Sequence, residues 1–240
     1  MPSINIKRSL DKIRLRKMEK QRVAHPYDWE GYRRVLEDFT PRTLPHKIYL
    51  NQIWDEWKGL LDFLVPERTP KRILEIGTGR AGSAYFLTKV GGEGSLVVTI
   101  DSSPVAKECV DLYRRYPNQQ IRAVTGMSHD PATVKTVETI FGEDPVDLLF
   151  IDGDHSYDGV KMDFEIYKKF CGEKSIICFH DIIPDHGVSK GIQTESNSGE
   201  VYKFWGELKR EHEHTEFVEA ADQDGFGIGV LLPGLDLSRA

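Results

Sequence analysis

Two apolar runs of this chain stop abruptly in ionisable residues. Leu148–Asp158 reads LLFIDGDHSYD, and Ile176–Ile182 reads IICFHDI. Each has the pattern of a buried strand with polar groups at its end: Asp152, Asp154 and His155 after the first, His180 and Asp181 after the second. In an open parallel sheet, ligands bind at the carboxyl ends of the strands. If the two strands are neighbours, these side chains converge on one pocket. Several carboxylates in one cleft repel one another unless something positive sits among them. A divalent cation is the economical solution: carboxylates suit Mg2+, and imidazole also accepts Mn2+, Fe2+ or Zn2+. The bland alternative is that the acids cap helices and His180 is a satisfied core histidine.

Another such end lies earlier. Arg72–Gly82 reads RILEIGTGRAG, an apolar run that breaks into glycines before a helix-compatible segment. Gly77 can take a turn conformation closed to other residues, Gly79 lets the backbone approach a ligand, and Gly82 would allow close helix–strand packing. The free N–H groups that open the helix then face the ligand. Glu75 stands two residues before the first glycine, and the next apolar run, Leu96–Ile100, ends in Asp101. That acid falls at about the 20-residue spacing at which a βαβ unit places a ribose-binding carboxylate. An adenosine-type cofactor is therefore expected. An ionised carboxylate accepts hydrogen bonds from two vicinal hydroxyls, and Asp101 could also cap the following helix.

The elements that must position these residues follow from patterning. Strands are expected at 72–77, 95–101, 121–126, 146–152 and 175–180, and helices at 83–90, 104–116, 131–142 and 157–171. This alternation indicates a parallel sheet covered on both faces. A long Gly/Ser/Pro-rich loop, 183–199, follows, carrying Asp185, His186 and Lys190 and able to close as a lid. Then come a helix, 200–211, and two β-like runs, Glu216–Ala220 and Gly227–Leu232, bringing the sheet to seven strands. Residues 1–70 read as an N-terminal helical extension that covers substrate or joins subunits, with Pro41 and Pro45 marking a linker, and 71–240 as the cofactor-binding domain. Within the extension, Lys7–Arg22 holds eight Lys/Arg against Asp11 and Glu19, with Leu10, Ile13 and Met18 as a narrow apolar stripe.

Composition bounds the rest. Of 240 residues, 29% are charged and 39% hydrophobic, which fits an ordinary globular protein. No apolar run reaches the ~18 residues of a membrane span. The polar, basic N-terminus lacks the apolar stretch of a secretory signal, and three cysteines without CxxC spacing read as reduced thiols, so a cytoplasmic protein is expected. A net charge of −6 makes no general case for nucleic acid.

From about residue 70 onward the chain resembles class I S-adenosylmethionine (SAM)-dependent methyltransferases. The resemblance is carried by Glu75-x-Gly77-x-Gly79, Asp101, and five parallel strands followed by a terminal hairpin. It implies an α/β Rossmann-like seven-stranded sheet, SAM as cofactor and S-adenosylhomocysteine (SAH) as product. The Glu75–Gly79 motif, with Thr78 and Ser83, would cradle the methionine portion. Asp101 and Ser102 would meet the ribose, and the loop with Gly126 and Ser128 would lie near the adenine; Asp152 would border the cofactor as well.

The paired strand ends resemble one branch in particular, the metal-dependent O-methyltransferases of sugars and natural products. By that resemblance Asp152, His180 and Asp181 hold a divalent metal, Mg2+ first, with Mn2+ or another ion allowed because His180 stands where the branch has an acid. His155 or Asp154 is then the general base toward a hydroxylated small molecule. An imidazole's ordinary pKa of ~6.5 favours His155, whereas Asp154 would need an upward shift. Competing readings are an NAD-linked oxidoreductase with the same glycine pattern and a SAM-binding protein without catalysis. Self-association through the N-terminal segment is a further expectation.

Overall fold

The apolar runs become strands because side chains such as Ile73, Leu74, Leu148 and Leu149 must be covered on both faces. The computed structural model describes residues 4–41, 47–104, 109–110 and 112–234. They form one sheet of β1 (Arg72–Ile76), β2 (Leu96–Asp101), β3 (Gln120–Thr125), β4 (Val146–Ile151), β5 (Cys171–His180), β6 (His214–Phe217) and β7 (Ile228–Leu231), in the order β3-β2-β1-β4-β5-β7-β6. The first five are parallel, and β7 runs antiparallel to both β5 and β6. Chain direction along the sheet reverses between β1 and β4, and a crevice opens at such a switch point. Register brings the chemistry level: Ile76 pairs with Ile100 and with Ile151, and Ile151 with Phe179. Gly77, Asp101, Asp152 and His180 therefore stand at one height.

Helices cover both faces. On one side lie α1 (Ile4–Arg22), α2 (Trp29–Asp38), α3 (Trp54–Leu64) and α4 (Gly82–Gly91). On the other lie α5 (Pro131–Phe141), α6 (Tyr157–Tyr167) and, after the short α7 (His186–Lys190), α8 (Val201–Glu211). Trp29, Tyr32, Trp57, Leu60 and Leu61 join Ile73, Phe86 and Phe150 in a single buried cluster, so the N-terminal helices share the core of the sheet. None of the described helices is long and apolar enough to cross a membrane. Pro45 and part of the helix expected over 104–116 lie outside the described residues.

Three features go beyond the expectations or change them. The apolar residues Leu10 and Ile13 lie on the outer side of α1, 45% and 62% exposed, while Asp11, Leu15 and Glu19 are buried. Polar partners decide this orientation. Glu19 meets Lys89 at 2.7 Å and accepts from the Tyr85 hydroxyl at 2.9 Å, a satisfied buried pair that sequence periodicity does not register. The helix expected to run to 171 ends at Tyr167, passes through a single 3-10 turn, and β5 starts early at Cys171, anchored by Ser175 Oγ on the Val146 carbonyl at 2.5 Å. The 183–199 loop is tied down. Asp224 accepts from the His186 N–H at 2.6 Å and from the Thr194 hydroxyl, and Ser198 Oγ accepts from the Phe226 N–H at 2.8 Å. His186 and Lys190 turn toward the Asp222 carbonyl.

Candidate active site

The β1–α4 turn is shaped by contacts a side chain would abolish. Gly77 has φ +84°, and a Cβ there would lie 1.8 Å from the Asp152 carbonyl oxygen. At Gly82 a Cβ would lie 2.2 Å from the carbonyl of Tyr49, so this glycine admits the 48–53 segment across the start of α4 rather than a strand. Asp101 staples the turn: Oδ2 accepts from the Thr78 and Gly79 N–H groups at 2.9 and 2.8 Å, and Oδ1 accepts from the Ser103 N–H at 2.7 Å. Oδ1 keeps acceptor capacity for a ligand hydroxyl. Glu75 is fully buried beneath the turn, accepting from the Thr99 hydroxyl at 2.5 Å. Burial pushes its carboxyl up to about 7 against the Ser83 and Thr99 hydroxyls, with the charges of Asp152 and Asp101 adding to the rise.

Two cavities meet at this turn. The smaller, about 260 Å3, is lined by Ile100, Asp101, Ser102, Gly126, Met127, Ser128, His129 and Asp154. The larger, about 510 Å3, is lined by Tyr49, Asn51, Gln52, the Gly77–Arg80 turn, Ser83, Asp152, His155, His180, Asp181 and residues 195–197. Gly77, Asp101 and Gly153 line both. Asp154 therefore stands apart from the other strand-end acids. Its Oδ1 accepts from the Ser156 N–H at 2.9 Å, which holds the carboxyl below its usual range.

In the larger cavity Asp152, His155 and Asp181 bring their donor atoms within 4.8 Å of one another. His155 Nδ1 lies 2.8 Å from the Asn197 carbonyl and 3.2 Å from Asp181 Oδ2. A carbonyl only accepts, so Nδ1 carries a proton and Nε2, 3.6 Å from Asp152 Oδ1, is the nitrogen left to titrate. The facing carboxylates of Asp152 and Asp181 outweigh burial and push this imidazole up to about 9. Burial would raise Asp152, yet the His180 and His155 charges hold it at about 2. His180 is 4% exposed, with Nδ1 3.0 Å from Asp152 Oδ1 and 3.3 Å from Asp181 Oδ2. Although burial opposes it, these carboxylates carry His180 well above its usual value. His180 thus bridges the two carboxylates from below, whereas His155 faces them from the cavity. Asp181 sits at φ +63°, a left-handed backbone that a non-glycine residue adopts at a cost.

Sequence reasoning missed several partners. Gln52, 8% exposed, donates from Nε2 to Asp152 Oδ2 at 2.7 Å across 100 positions of sequence. Ser198 Oγ donates to Asp181 Oδ1 at 3.1 Å, and Gly199 packs so closely that a Cβ would lie 2.3 Å from the His155 carbonyl. Beside the smaller cavity, His129 Nε2 lies 2.9 Å from the buried Asp163 Oδ1. No local pattern announces these contacts; the one available signal was the glycine and serine content of the 183–199 loop.

Residues 74–182 match a family model described as a methyltransferase domain. Among solved structures, the chain is similar to the O-methyltransferase from Bacillus cereus in complex with SAH, at 19% identity and a TM-score of 0.58, covering 77% of this chain and 84% of that one. It is also similar to the O-methyltransferase TomG from Streptomyces achromogenes, involved in tomaymycin synthesis and solved with SAM, at 17% identity and a TM-score of 0.51, covering 80% and 84%. At these identities the likeness establishes the fold. An uncharacterized protein of Sinorhizobium fredii, y4gI, is 26% identical over 209 residues, or 83% of this chain. The chain spans 21% and 53% of the lengths of the two curated relatives it matches. The matched stretch, Leu74 to Ile182, holds every strand end described above.

Proposed function

We propose that this chain is a SAM-dependent O-methyltransferase acting on a hydroxyl of a small molecule, with His155 as general base. One observation carries the reading: the Asp152–His155–Asp181 cluster opens into a cavity that shares Gly77, Asp101 and Gly153 with the glycine-lined crevice. Asp101 and the Gly77–Gly79 turn would hold the nucleoside at the seam, its base toward Ser102, Gly126 and Ser128 and its methionine end toward Thr78, Ser83 and Asp152. In its neutral form, reached as pH approaches 9 or as another cation takes over the carboxylate charge, His155 would take the acceptor proton at Nε2 while the oxygen attacks the sulfonium methyl carbon and the C–S electron pair returns to sulfur, leaving SAH. Nδ1, fixed by the Asn197 carbonyl, keeps the ring aimed during that transfer.

The donor set also fits a divalent cation. Two carboxylates and an imidazole lie within 4.8 Å of one another, and the carboxylate charge is answered by imidazolium protons on His155 and His180. Asp152 and Asp181 would hold such an ion, with His180 orienting both carboxylates from beneath and His155 Nε2 left free for the proton. When bound, Mg2+ or Mn2+ would acidify a ligated hydroxyl. The polar wall of Asn51, Glu195, Ser196 and Asn197 favours a polyhydroxylated acceptor, a sugar or glycosylated natural product. Residues 1–70 act in this reading as a cover over the 71–240 domain, contributing Tyr49, Asn51 and Gln52 to the cavity.

The test is transfer of label from methyl-labelled SAM to a panel of sugars, glycosides and vicinal diols, with EDTA or with added Mg2+ or Mn2+. Label in a hydroxylated acceptor, lost in His155→Ala, supports the reading. SAM binding with no transfer to any acceptor contradicts it.

A further inference from the structure

Beside the active centre lies a third cavity of about 250 Å3, built by α2, the start of α3, the 47–52 segment and Phe86 of α4. Tyr49 and Gln52 line both spaces, so the side cavity continues the larger one. Its character is different. Leu36, Leu50, Trp54 and Phe86 make an apolar floor, while Arg33, Glu37 and Lys47 form the rim. Arg33 is already answered, its Nε 2.8 Å from Glu37 Oε1 and its guanidinium over the Trp54 ring at 4.9 Å. Lys47 has no ion-pair partner among the described residues, which leaves one surplus positive charge. At the junction stands Tyr49, 45% exposed, with its backbone bridged to Ala81 and pressed onto Gly82. An aromatic ring with a clamped backbone and an open face is a ready stacking platform, because little conformational freedom is left to lose on binding.

We infer that the acceptor has two parts: a hydroxylated portion at the Asp152–His155–Asp181 cluster, joined to a flat apolar portion that carries one anionic group and occupies the side cavity between α2 and α3. Tyr49 stacks on the junction and Lys47 pairs with the anion. This inference rests on the methyltransferase reading for the role of the first portion alone. The side cavity itself can be probed without turnover.

The probe is 8-anilino-1-naphthalenesulfonate, an aromatic molecule with a single sulfonate, followed by fluorescence in the folded protein saturated with SAH. One saturable site is expected. Tyr49→Ala weakens it about three- to tenfold, as loss of an aromatic contact does. Lys47→Glu weakens it about three- to fivefold or more, with SAH affinity unchanged. N-phenyl-1-naphthylamine, which has the same rings without the sulfonate, binds more weakly than the sulfonate to the wild type, and Lys47→Glu erases that difference. Absence of saturable binding, or binding indifferent to both substitutions and to the sulfonate, overturns the inference. Failure of the wild type to bind SAH overturns the methyltransferase reading instead, and the fluorescence titration repeated without SAH still decides the side cavity.

Discussion

The two edges of the crevice are built by different means. At the ends of β1 and β2 the work is done by backbone: glycines that admit close approach, and an Asp101 carboxylate whose partners are three main-chain N–H groups. At the ends of β4 and β5 it is done by charge, with two carboxylates and two imidazoles packed so tightly that Asp152 is pulled down and His155 and His180 are pushed up. At the first edge Asp101 has its main-chain partners before any ligand arrives. The second is an electrostatic conflict that protons settle in the free protein and that a substrate or cation can settle otherwise. A nucleoside needs a fixed cradle, whereas proton transfer needs a group whose charge can change.

Substitutions on either edge should separate these properties. The largest effect is expected for His155→Ala: turnover falls about 10²- to 10⁴-fold, while calorimetric SAH affinity stays within about threefold. Equal losses in both would erase the distinction between the edges. Gly77→Ala should do the opposite. With φ at +84° and a Cβ placed 1.8 Å from the Asp152 carbonyl, it should cost about 3 kcal/mol or more in denaturant unfolding and take SAH binding with it.

The charged edge also has a pH signature. His155 is raised to about 9 from 6.5, so its stabilising contribution is complete below 6.5 and disappears as pH climbs through 9. Asp152, lowered from 3.8 to about 2, contributes above 3.8 and loses this only as pH falls through 2. The unfolding free energy of EDTA-treated protein should therefore decline between about pH 6.5 and 9. His155→Gln should make that decline shallower without abolishing it, since His180 is raised as well. The smallest effect belongs to Asp154→Ala, which removes the Ser156 N–H partner: about 1 kcal/mol of stability, with turnover within about threefold. A collapse of turnover there would move the base from His155 to Asp154.

This contrast also explains what the chain disclosed in advance. The backbone edge is local: Glu75, Gly77, Gly79 and Asp101 announce themselves by spacing, and the seven strands, though not their order, follow from apolar runs alternating with helices and a terminal hairpin. At the charged edge the residue types were legible but their arrangement was not. Asp154 and His155 are adjacent in sequence, yet one lines the smaller cavity and the other the larger. Gln52 reaches Asp152 only because the 48–53 segment crosses α4, a tertiary contact invisible to periodicity. The inner face of α1 was illegible for a related reason, because Glu19 is drawn inward by Lys89 and Tyr85 from another helix.

The central claim is that this crevice binds SAM and that the adjoining carboxylates serve its chemistry. Calorimetric titration of SAH into the purified protein, after EDTA and again with Mg2+ or Mn2+, tests it most directly. The account predicts saturable one-site SAH binding, no uptake of NADH, and a separate metal signal lost in Asp152→Ala and Asp181→Ala. Uptake of NADH without SAH binding would contradict it.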